Sequence, residues 1–472
     1  MNDQTIDSLK EIVGPKGWMD TPDDMAPYLV DVRDLYQGAA RILLRPDSTE
    51  QVAAIVKLCA ESGVTITPQG GNTGYCGGAT PGIDGEHEDG VLLCLSRLNR
   101  TRDIDPLNYT ITVEAGCILA DIQQTAADAD RLFPLSLAAE GTCQIGGNLS
   151  TNAGGTAVLR YGNTRDLVLG VEVVLPDGQI WDGLRRLRKN NTGYDLKQIF
   201  MGAEGTLGII TAAVLKLYPM PRERTTMFVA LNNPEAAVTL LARLRAASGD
   251  GVTTFEYLHR LCLELAVKNI PGLTDPFEAA HTHYALVELS SGLSDGRVAA
   301  LAESVLGEAF EAGEVIDAVV ASSGQQATQL WKIRESIPEA MNHEGGVIRH
   351  DVSVPVSSVP EFLDIATRRT TETIDGVRIA PFGHIGDGNI HFNLVQPVGA
   401  AREDFLARTH EIETIIHDIA DGLDGSFSAE HGVGRLKRDE LTRYKSEVEK
   451  DLFARVKAAL DPDGVMNPGK VV

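Results

Sequence analysis

Two glycine-rich segments in the first third of the chain constrain its fold more than any other feature. The first, TITPQGGNTGYCGGAT at 65–80, includes an apolar stretch and then a run of glycines, and the second, EGTCQIGGNLSTNAGGT at 140–156, alternates glycine with serine, threonine and asparagine. Glycine lets backbone N–H groups converge without interference from a Cβ atom, which is how a site for a pyrophosphate is built. Either segment alone could be a tight surface turn. Together they predict a nucleotide cofactor site.

Neither segment carries the fingerprint of the commonest nucleotide-binding proteins. The G-x-G-x-x-G pattern of dinucleotide-binding folds and the G-x-x-x-x-G-K-[ST] pattern of phosphate loops are both missing from them. We therefore disfavour a classical nicotinamide site and ATP chemistry at a phosphate loop.

Length and charge narrow the class of protein further. A chain of 472 residues is too long for one hydrophobic core and predicts two to three domains. The net charge of −24 disfavours nucleic acid as a partner and means that an anionic substrate needs a local basic pocket. The polar, acidic start of the sequence is unlike a secretory signal, so we expect a cytoplasmic protein. The six cysteines include no CxxC pair, which argues against a disulfide framework and a zinc finger.

The rhythm of apolar residues changes near the middle of the chain. From about 40 to 218, short Val/Ile/Leu runs alternate with glycine turns, as in LVLGVEVVLPDGQIW at 167–181, where PDG predicts a turn between two strands. After residue 218 the pattern becomes strand, helix, strand, and Pro234 is placed as the first residue of a helix. We predict an α+β fold with domains at 1–218 and 219–440, the second containing an antiparallel sheet, and a helical segment at 441–472.

A histidine pair lies around a turn in PFGHIGDGNIHFN at 381–393. If Asp387 and Gly388 form a two-residue hairpin turn, His384 lies directly opposite His391 on one face of the sheet, with Cβ atoms about 5 Å apart. Alternation also puts Asn393 on this polar face, while the intervening apolar residues point into a core. The pair could be purely structural, but its spacing suits two imidazole ligands of one metal ion.

A third ligand is expected from SFSAEHGVG at 426–434, where Glu430 and His431 would end a short strand before a glycine loop. Zinc needs at least three protein ligands, with a fourth position open for catalysis. Two histidines and a carboxylate also suit manganese, cobalt or iron, so the metal identity stays open.

Two arginines are candidates for the local basic pocket. Arg334 in LWKIRESIPEA is placed on a helix one turn before Pro338, and Arg349 in GGVIRHDVSVP is placed on a strand face shared with Asp351 and Ser353. The alternative is that both lie on solvated surfaces.

These motifs resemble those of a known family. The glycine-rich segments, together with RYGNTRDLVLGVEVVLPDG at 160–178 and FMGAEGTLGIIT at 200–211, resemble the FAD domain of flavoproteins of the vanillyl-alcohol oxidase type. The second half, from LWKIRESIPEA through PFGHIGDGNIHFN and SAEHGVGRLKRDEL to DPDGVMNPGKV, is similar to the FAD-dependent D-2-hydroxyacid dehydrogenases, and most similar to those that oxidise D-2-hydroxyglutarate.

The resemblance implies a two-lobed FAD domain and a C-terminal segment that returns to the active site. Because no histidine occurs between His87 and His259, we expect the FAD to be non-covalent. The implied cofactor-binding residues are Gly70, Gly71, Asn72, Thr73, Gly74, Gly77, Gly78, Pro134, Leu135, Gly141, Thr142, Gly146, Gly147, Asn148, Thr151, Asn152, Gly154, Gly155, Glu204, Gly205, Ile210 and Asn467.

The resemblance also assigns roles in the second half. His384, His391 and Glu430 would ligate zinc, Asn393 would contact substrate, and His431 would bind substrate and act as the base. Arg334 would hold the far carboxylate of the substrate, assisted by Arg349 at a position where the family has a lysine, while Pro338 replaces a threonine.

The expected reaction is therefore hydride transfer from C2 of D-2-hydroxyglutarate to FAD, giving 2-oxoglutarate. D-lactate or another short D-2-hydroxyacid is the alternative substrate, and a metal-binding subunit without catalysis is the alternative class. The family likeness further suggests an electron-transfer flavoprotein as acceptor and a homodimer.

Overall fold

The computed structural model describes residues 1–472, and its contacts divide the chain into two compact units. The first unit comprises residues 1–154, 162–220 and 430–472, and the second comprises 155–161 and 221–429. Both mix helices with largely antiparallel sheets, which confirms the α+β prediction. None of the helices combines the length and the apolar character that crossing a membrane requires.

In chain order the helices are α1 (Asp3–Val13), α2 (Pro22–Leu29), α3 (Thr49–Ser62), α4 (Leu119–Asp128), α5 (Ile145–Thr151), α6 (Val158–Tyr161), α7 (Lys197–Phe200), α8 (Pro234–Ser248), α9 (Arg260–Asn269), α10 (Arg297–Glu311), α11 (Gly324–Glu335), α12 (Ile337–Asn342), α13 (Val359–Thr373), α14 (Arg402–Leu406), α15 (Thr409–Gly422), α16 (Arg438–Tyr444) and α17 (Glu447–Leu460).

The strands are β1 (Trp18–Met19), β2 (Ile42–Leu44), β3 (Ile66–Gln69), β4 (Val91–Cys94), β5 (Thr101–Asp105), β6 (Thr110–Glu114), β7 (Arg131–Leu132), β8 (Val168–Val174), β9 (Ile180–Asp182), β10 (Ile209–Lys216), β11 (Tyr218–Pro219), β12 (Glu223–Leu231), β13 (Val252–His259), β14 (His283–Ser291), β15 (Val315–Val320), β16 (Val347–Ile348), β17 (Val352–Ser353), β18 (Arg378–Gly383) and β19 (Asn389–Val395).

The first unit contains two main sheets. One has the order β1-β2-β4-β3, with β2 and β3 parallel to β4, and the other is antiparallel in the order β5-β6-β10-β8-β9. Strands β2 and β4 are buried along their whole length, which explains why they read as unbroken apolar runs rather than as alternating patterns. The predicted PDG turn is confirmed, since Val174 pairs with Ile180 across it.

The C-terminal residues of the first unit run alongside β3. The backbone N–H of Ile66 donates to the Val465 carbonyl, and that of Asn467 donates to the Ile66 carbonyl, each at 2.8 Å. This places the chain end beside the strand that leads into the first glycine-rich segment. The domain boundaries proposed at 218 and 440 stay predictions.

The second unit is built on one antiparallel sheet in the order β15-β12-β14-β13-β18-β19-β16, with β17 paired to β19. Helix α8 begins at Pro234 as predicted, because the preceding Asn233 side chain accepts a hydrogen bond from the Ala236 N–H and Pro lacks the donor that a first helical turn leaves unused. The main core of this unit contains Ile390, Phe392 and Leu394, which confirms the apolar face predicted for β19.

The predicted register of the histidine hairpin is wrong. His391 pairs with Phe382 rather than with His384, and the connecting loop runs from His384 to Gly388. The turn is longer than two residues, because the backbone N–H groups of Asp387 and Gly388 donate to the carbonyls of His384 and Ile385 at 3.1 and 3.2 Å. His384 therefore lies in the loop and not on a strand face, although its ring still lies near that of His391.

Two short strands predicted from the sequence are also absent from the structure. Glu430 and His431 lie in a bend, because only Ser426 of this segment forms a bridge, to Ser353. Arg349 and Asp351 lie between β16 and β17 and do not share a strand face with Ser353.

Candidate active site

The two glycine-rich segments meet in the first unit. A Cβ atom added to Gly71 would lie 2.4 Å from the Thr142 carbonyl oxygen, and one added to Gly70 would lie 3.5 Å from the Gly147 nitrogen. The space beside them is a cleft with about 910 Å³ of empty volume, part of it open to solvent. The cleft is lined largely by glycines and small polar residues of the two segments, whose backbone a ligand can approach closely.

Many of the predicted cofactor residues line this cleft. They are Gly70, Gly71, Asn72, Thr73, Gly74, Gly78, Gly146, Gly147, Asn148, Thr151, Glu204, Gly205 and Ile210. Those outside its lining are Gly77, Pro134, Leu135, Gly141, Thr142, Asn152, Gly154, Gly155 and Asn467. Asn467 nevertheless supports the cleft, since its amide donates to the carbonyls of Gly78 and Glu204 at 2.9 and 2.8 Å.

The first glycine-rich loop holds its shape through one side chain. Asn72 adopts a left-handed conformation with φ of 52°, and its amide donates to the Val30 carbonyl at 2.8 Å. Asparagine tolerates this conformation better than most residues. Asn72 therefore shapes the loop as well as lining the cleft.

His431 lines the same cleft and is held by neighbours in the first unit. Its ring packs edge-on against Tyr75 with centroids 4.8 Å apart. The next residues of the loop bind Glu204, whose carboxylate accepts from the N–H groups of Val433 and Gly434, each at 2.8 Å. Burial raises the pKa of Glu204 above its usual value, although these two N–H groups oppose the shift. Glu204 thus joins the cleft to the loop that carries the predicted base.

Gly71→Ala tests this close approach of the two loops. The added methyl group would overlap the Thr142 carbonyl, and overpacking of this kind costs about 1–3 kcal/mol. We expect FAD to bind about 10- to 100-fold more weakly in an equilibrium titration, and the apoprotein to melt at a lower temperature. Gly74→Ala is the matched control, because a Cβ there meets no protein atom within 4 Å, so its apoprotein should melt normally. Unchanged FAD affinity in Gly71→Ala would contradict the assignment.

In the second unit, His384 and His391 come together despite the altered register. Their ring centroids are 5.7 Å apart at an interplanar angle of 79°. His384 is buried and His391 is partly buried. The Phe382 ring lies 5.1 Å from the His391 ring and packs under the guanidinium of Arg334 at 4.6 Å.

A buried carboxylate links His384 to Arg334. The side chain of Glu256 on β13 accepts a hydrogen bond from Arg334 Nε at 2.5 Å with one oxygen and from His384 Nδ1 with the other. Burial alone would raise the pKa of Glu256, but the charges and hydrogen bonds of Arg334 and His384 hold it at about 2. The carboxylate is therefore ionised and can only accept.

The donor chemistry of the histidine pair fits a divalent metal. His384 Nδ1 donates to a carboxylate, so the neutral form of this ring has its lone pair on Nε2, as a metal ligand requires. Histidine ligands in metalloproteins almost always donate their other ring N–H in this way. The third predicted ligand, Glu430, is positioned through the residue before it, because the backbone N–H of Ala429 donates to the Asp351 carbonyl at 3.2 Å.

The three remaining residues predicted to bind substrate differ in how far their side chains are already engaged by other protein groups. The outer two nitrogens of Arg334 have no protein acceptor, so its fork is open to a ligand. Arg349 is partly buried, and its guanidinium donates to the Asn342 side chain. Asn393 is buried, accepts from the His350 N–H at 3.4 Å and contacts the Met341 sulfur at 3.6 Å. Of the three, Arg334 is the best placed to bind an anion.

Sequence reasoning missed several residues at these sites. Glu256 occurs within VTTFEYLH, where a single acidic residue in an apolar strand gave a detectable signal of an inward-facing charge. Leu95 and Ala115 also line the cleft, but they are ordinary strand-end residues with no distinguishing pattern.

Comparison with solved structures identifies the class of fold. The structure superposes on p-cresol methylhydroxylase with a TM-score of 0.78, covering 99% of this chain and 96% of that one at 18% identity. A protein-family model described as an FAD binding domain matches residues 40–183. A second family model, described as FAD linked oxidases, C-terminal domain, matches residues 220–471. The fold and the glycine-lined cleft define an FAD-binding protein of the vanillyl-alcohol oxidase type.

The chain belongs to the family of FAD-linked oxidases and is an FAD-dependent oxidoreductase. It is 36% identical to the D-2-hydroxyglutarate dehydrogenase of Danio rerio, named as mitochondrial, over 96% of this chain and 82% of the relative. It is 33% identical to a D-2-hydroxyglutarate–pyruvate transhydrogenase of Saccharomyces cerevisiae, over 96% of this chain and 90% of the relative. The family expectation drawn from the sequence is thus confirmed.

Proposed function

We propose that the protein oxidises D-2-hydroxyglutarate to 2-oxoglutarate, using FAD and a divalent metal held by His384, His391 and Glu430. The observation that carries this proposal is the pair of contacts made by the buried Glu256. One carboxylate oxygen binds His384, a potential metal ligand, and the other binds Arg334, whose two outer nitrogens can still bind an anion. A substrate with an α-hydroxyacid end and a second carboxylate matches both features. The relatives named for D-2-hydroxyglutarate support the same substrate class.

Each group has a defined task in this proposal. FAD, when bound, supplies the acceptor for the C2 hydride. A bound metal, which we propose to be zinc, with manganese, cobalt or iron as alternatives, supplies Lewis-acid polarisation of the α-hydroxyl. Arg334 binds the distal carboxylate, with Arg349 and Asn393 as further contacts to the substrate. His431 takes the hydroxyl proton, so the substrate loses one hydride and one proton in total.

His431→Asn tests the base. A histidine base typically contributes about 10²- to 10⁴-fold, so we expect kcat to fall by about that factor. Asparagine approximates the ring's size but does not take up a proton near neutrality, and bound FAD and bound metal should stay stoichiometric. If the variant loses metal together with activity, His431 is a ligand and not the base.

The function itself is tested by a reductive titration of the purified, FAD-loaded protein without air. One equivalent of D-2-hydroxyglutarate should bleach the oxidised flavin spectrum, while the L-enantiomer should leave it unchanged. If D-lactate reduces the flavin with a higher kcat/KM than D-2-hydroxyglutarate does, the alternative substrate is the correct one. No bleaching by any 2-hydroxyacid would favour a metal-binding subunit without catalysis.

One feature favours the alternative substrate, D-lactate or another short D-2-hydroxyacid. Pro338, near the start of α12, has no side-chain donor for a distal carboxylate. The titration above should therefore include D-malate as well as D-lactate.

The wider setting is also part of the proposal. An electron-transfer flavoprotein is the proposed electron acceptor for the reduced flavin. Because the yeast relative is named a transhydrogenase that uses pyruvate, a 2-oxoacid such as pyruvate should be tested as an acceptor beside it. A homodimer and a cytoplasmic location remain expectations from the sequence.

A further inference from the structure

Glu256 occupies an unusual position for a charged residue. It is 0% exposed, lies on the central strand β13 and pairs across the sheet with Leu286. A carboxylate without partners in such a place would be strongly destabilising. Its two partners, Arg334 and His384, therefore account for its presence, and both have assigned roles in the proposed reaction.

The geometry fixes one property of each partner. A carboxylate can only accept, so the neutral ring of His384 carries its proton on Nδ1 and its lone pair on Nε2. The same carboxylate engages Arg334 through Nε alone, which leaves the two outer nitrogens as a fork suited to another carboxylate.

We propose that Glu256 is a positioning residue that sets the ligating tautomer of His384 and the orientation of the Arg334 fork at once. This inference rests on the proposed function, since it assumes that His384 holds a metal and that Arg334 holds substrate. It makes metal affinity and selectivity for a dicarboxylate depend on one buried side chain.

Glu256→Gln exposes this double dependence because an amide offers one accepting oxygen and one donating NH₂ group. If the amide oxygen serves Arg334, the NH₂ group faces His384 and favours the tautomer with its proton on Nε2, which cannot bind a metal. If the oxygen serves His384, the NH₂ group confronts Arg334 Nε, donor against donor. Either arrangement impairs one function.

The experiment measures zinc affinity of the FAD-loaded protein, depleted of metal, against a competing zinc indicator. Loss of an outer hydrogen-bond partner typically weakens metal binding about 10- to 100-fold, and we expect this for Glu256→Gln if its NH₂ group faces His384. If the NH₂ group faces Arg334 instead, the preference for D-2-hydroxyglutarate over D-lactate should fall. FAD stoichiometry is kept in both cases. The matched control is Glu288→Gln on the neighbouring β14, a buried carboxylate whose polar contacts are Thr226 and Arg224.

Glu256→Asp is the second variant, because it keeps the buried charge in case the glutamine variant does not fold. Its carboxylate is one methylene shorter and cannot reach both partners, so zinc binding should again weaken. The inference is overturned if folded Glu256→Gln keeps both the wild-type zinc affinity and the wild-type substrate preference, if folded Glu256→Asp keeps wild-type zinc affinity, or if Glu288→Gln shows an equal loss. If the wild-type protein itself binds no zinc or other divalent metal, the proposed metal site fails, and that result is distinguishable because it requires no variant.

Discussion

Arg334→Ala is expected to lower kcat/KM for D-2-hydroxyglutarate, with a loss of transition-state stabilisation of about 2–5 kcal/mol, because the distal carboxylate of the substrate would be desolvated without a partner. D-lactate lacks that carboxylate and should lose far less. Steady-state kinetics with both substrates measure the difference directly. Equal losses would mean that Arg334 serves the α-carboxylate or the flavin instead.

The contact with Glu256 requires a matched second variant. Removing Arg334 alone leaves a buried carboxylate without its cation, which typically costs about 3–5 kcal/mol of stability. The double variant Arg334→Ala/Glu256→Gln removes that charge, so its melting temperature should recover relative to the single variant. Because Glu256→Gln is itself expected to impair the site, only the melting temperature of the double variant is compared, and selectivity is measured in the folded Arg334→Ala variant.

The cofactor cleft could be predicted well from the sequence because its requirements are local. Gly71 must be glycine because the backbone of Thr142 lies too close for a Cβ atom, and a run of such glycines can be recognised directly in the sequence. The partner that causes the requirement, Thr142, lies in the other segment, which is also rich in glycine. Two local signals thus indicated one site.

The hydrogen bonds that organise the two units could not be predicted in the same way. Glu256 and His384 are 128 residues apart in sequence, and Glu204 and Val433 are 229 apart. Both bonds join residues far apart in the chain, which the local sequence does not encode. The register of the histidine loop was mispredicted for a different reason, since its turn comprises five residues, His384 to Gly388, and not two.

His391→Ala tests the proposed metal site most severely. The side chain lies on β19 beside Phe382 and is only partly buried, so its loss should leave the core of the second unit intact. Lewis-acid catalysis by a metal is worth several kcal/mol, so we expect turnover to fall by roughly 10²- to 10⁴-fold or more. Elemental analysis should show loss of the metal, while flavin absorbance and melting temperature stay near those of the wild type.

The matched control for this variant is His410→Ala, which removes an exposed histidine from α15. It should keep both metal and activity, which excludes a general effect of losing an imidazole. Chelation of the wild-type protein should reproduce the His391→Ala phenotype, and added metal should restore only the wild type. If chelation leaves activity intact, the metal is not catalytic. If His391→Ala unfolds while His410→Ala does not, the pair is structural, because a ligand at a partly exposed position should not be needed to hold the sheet together.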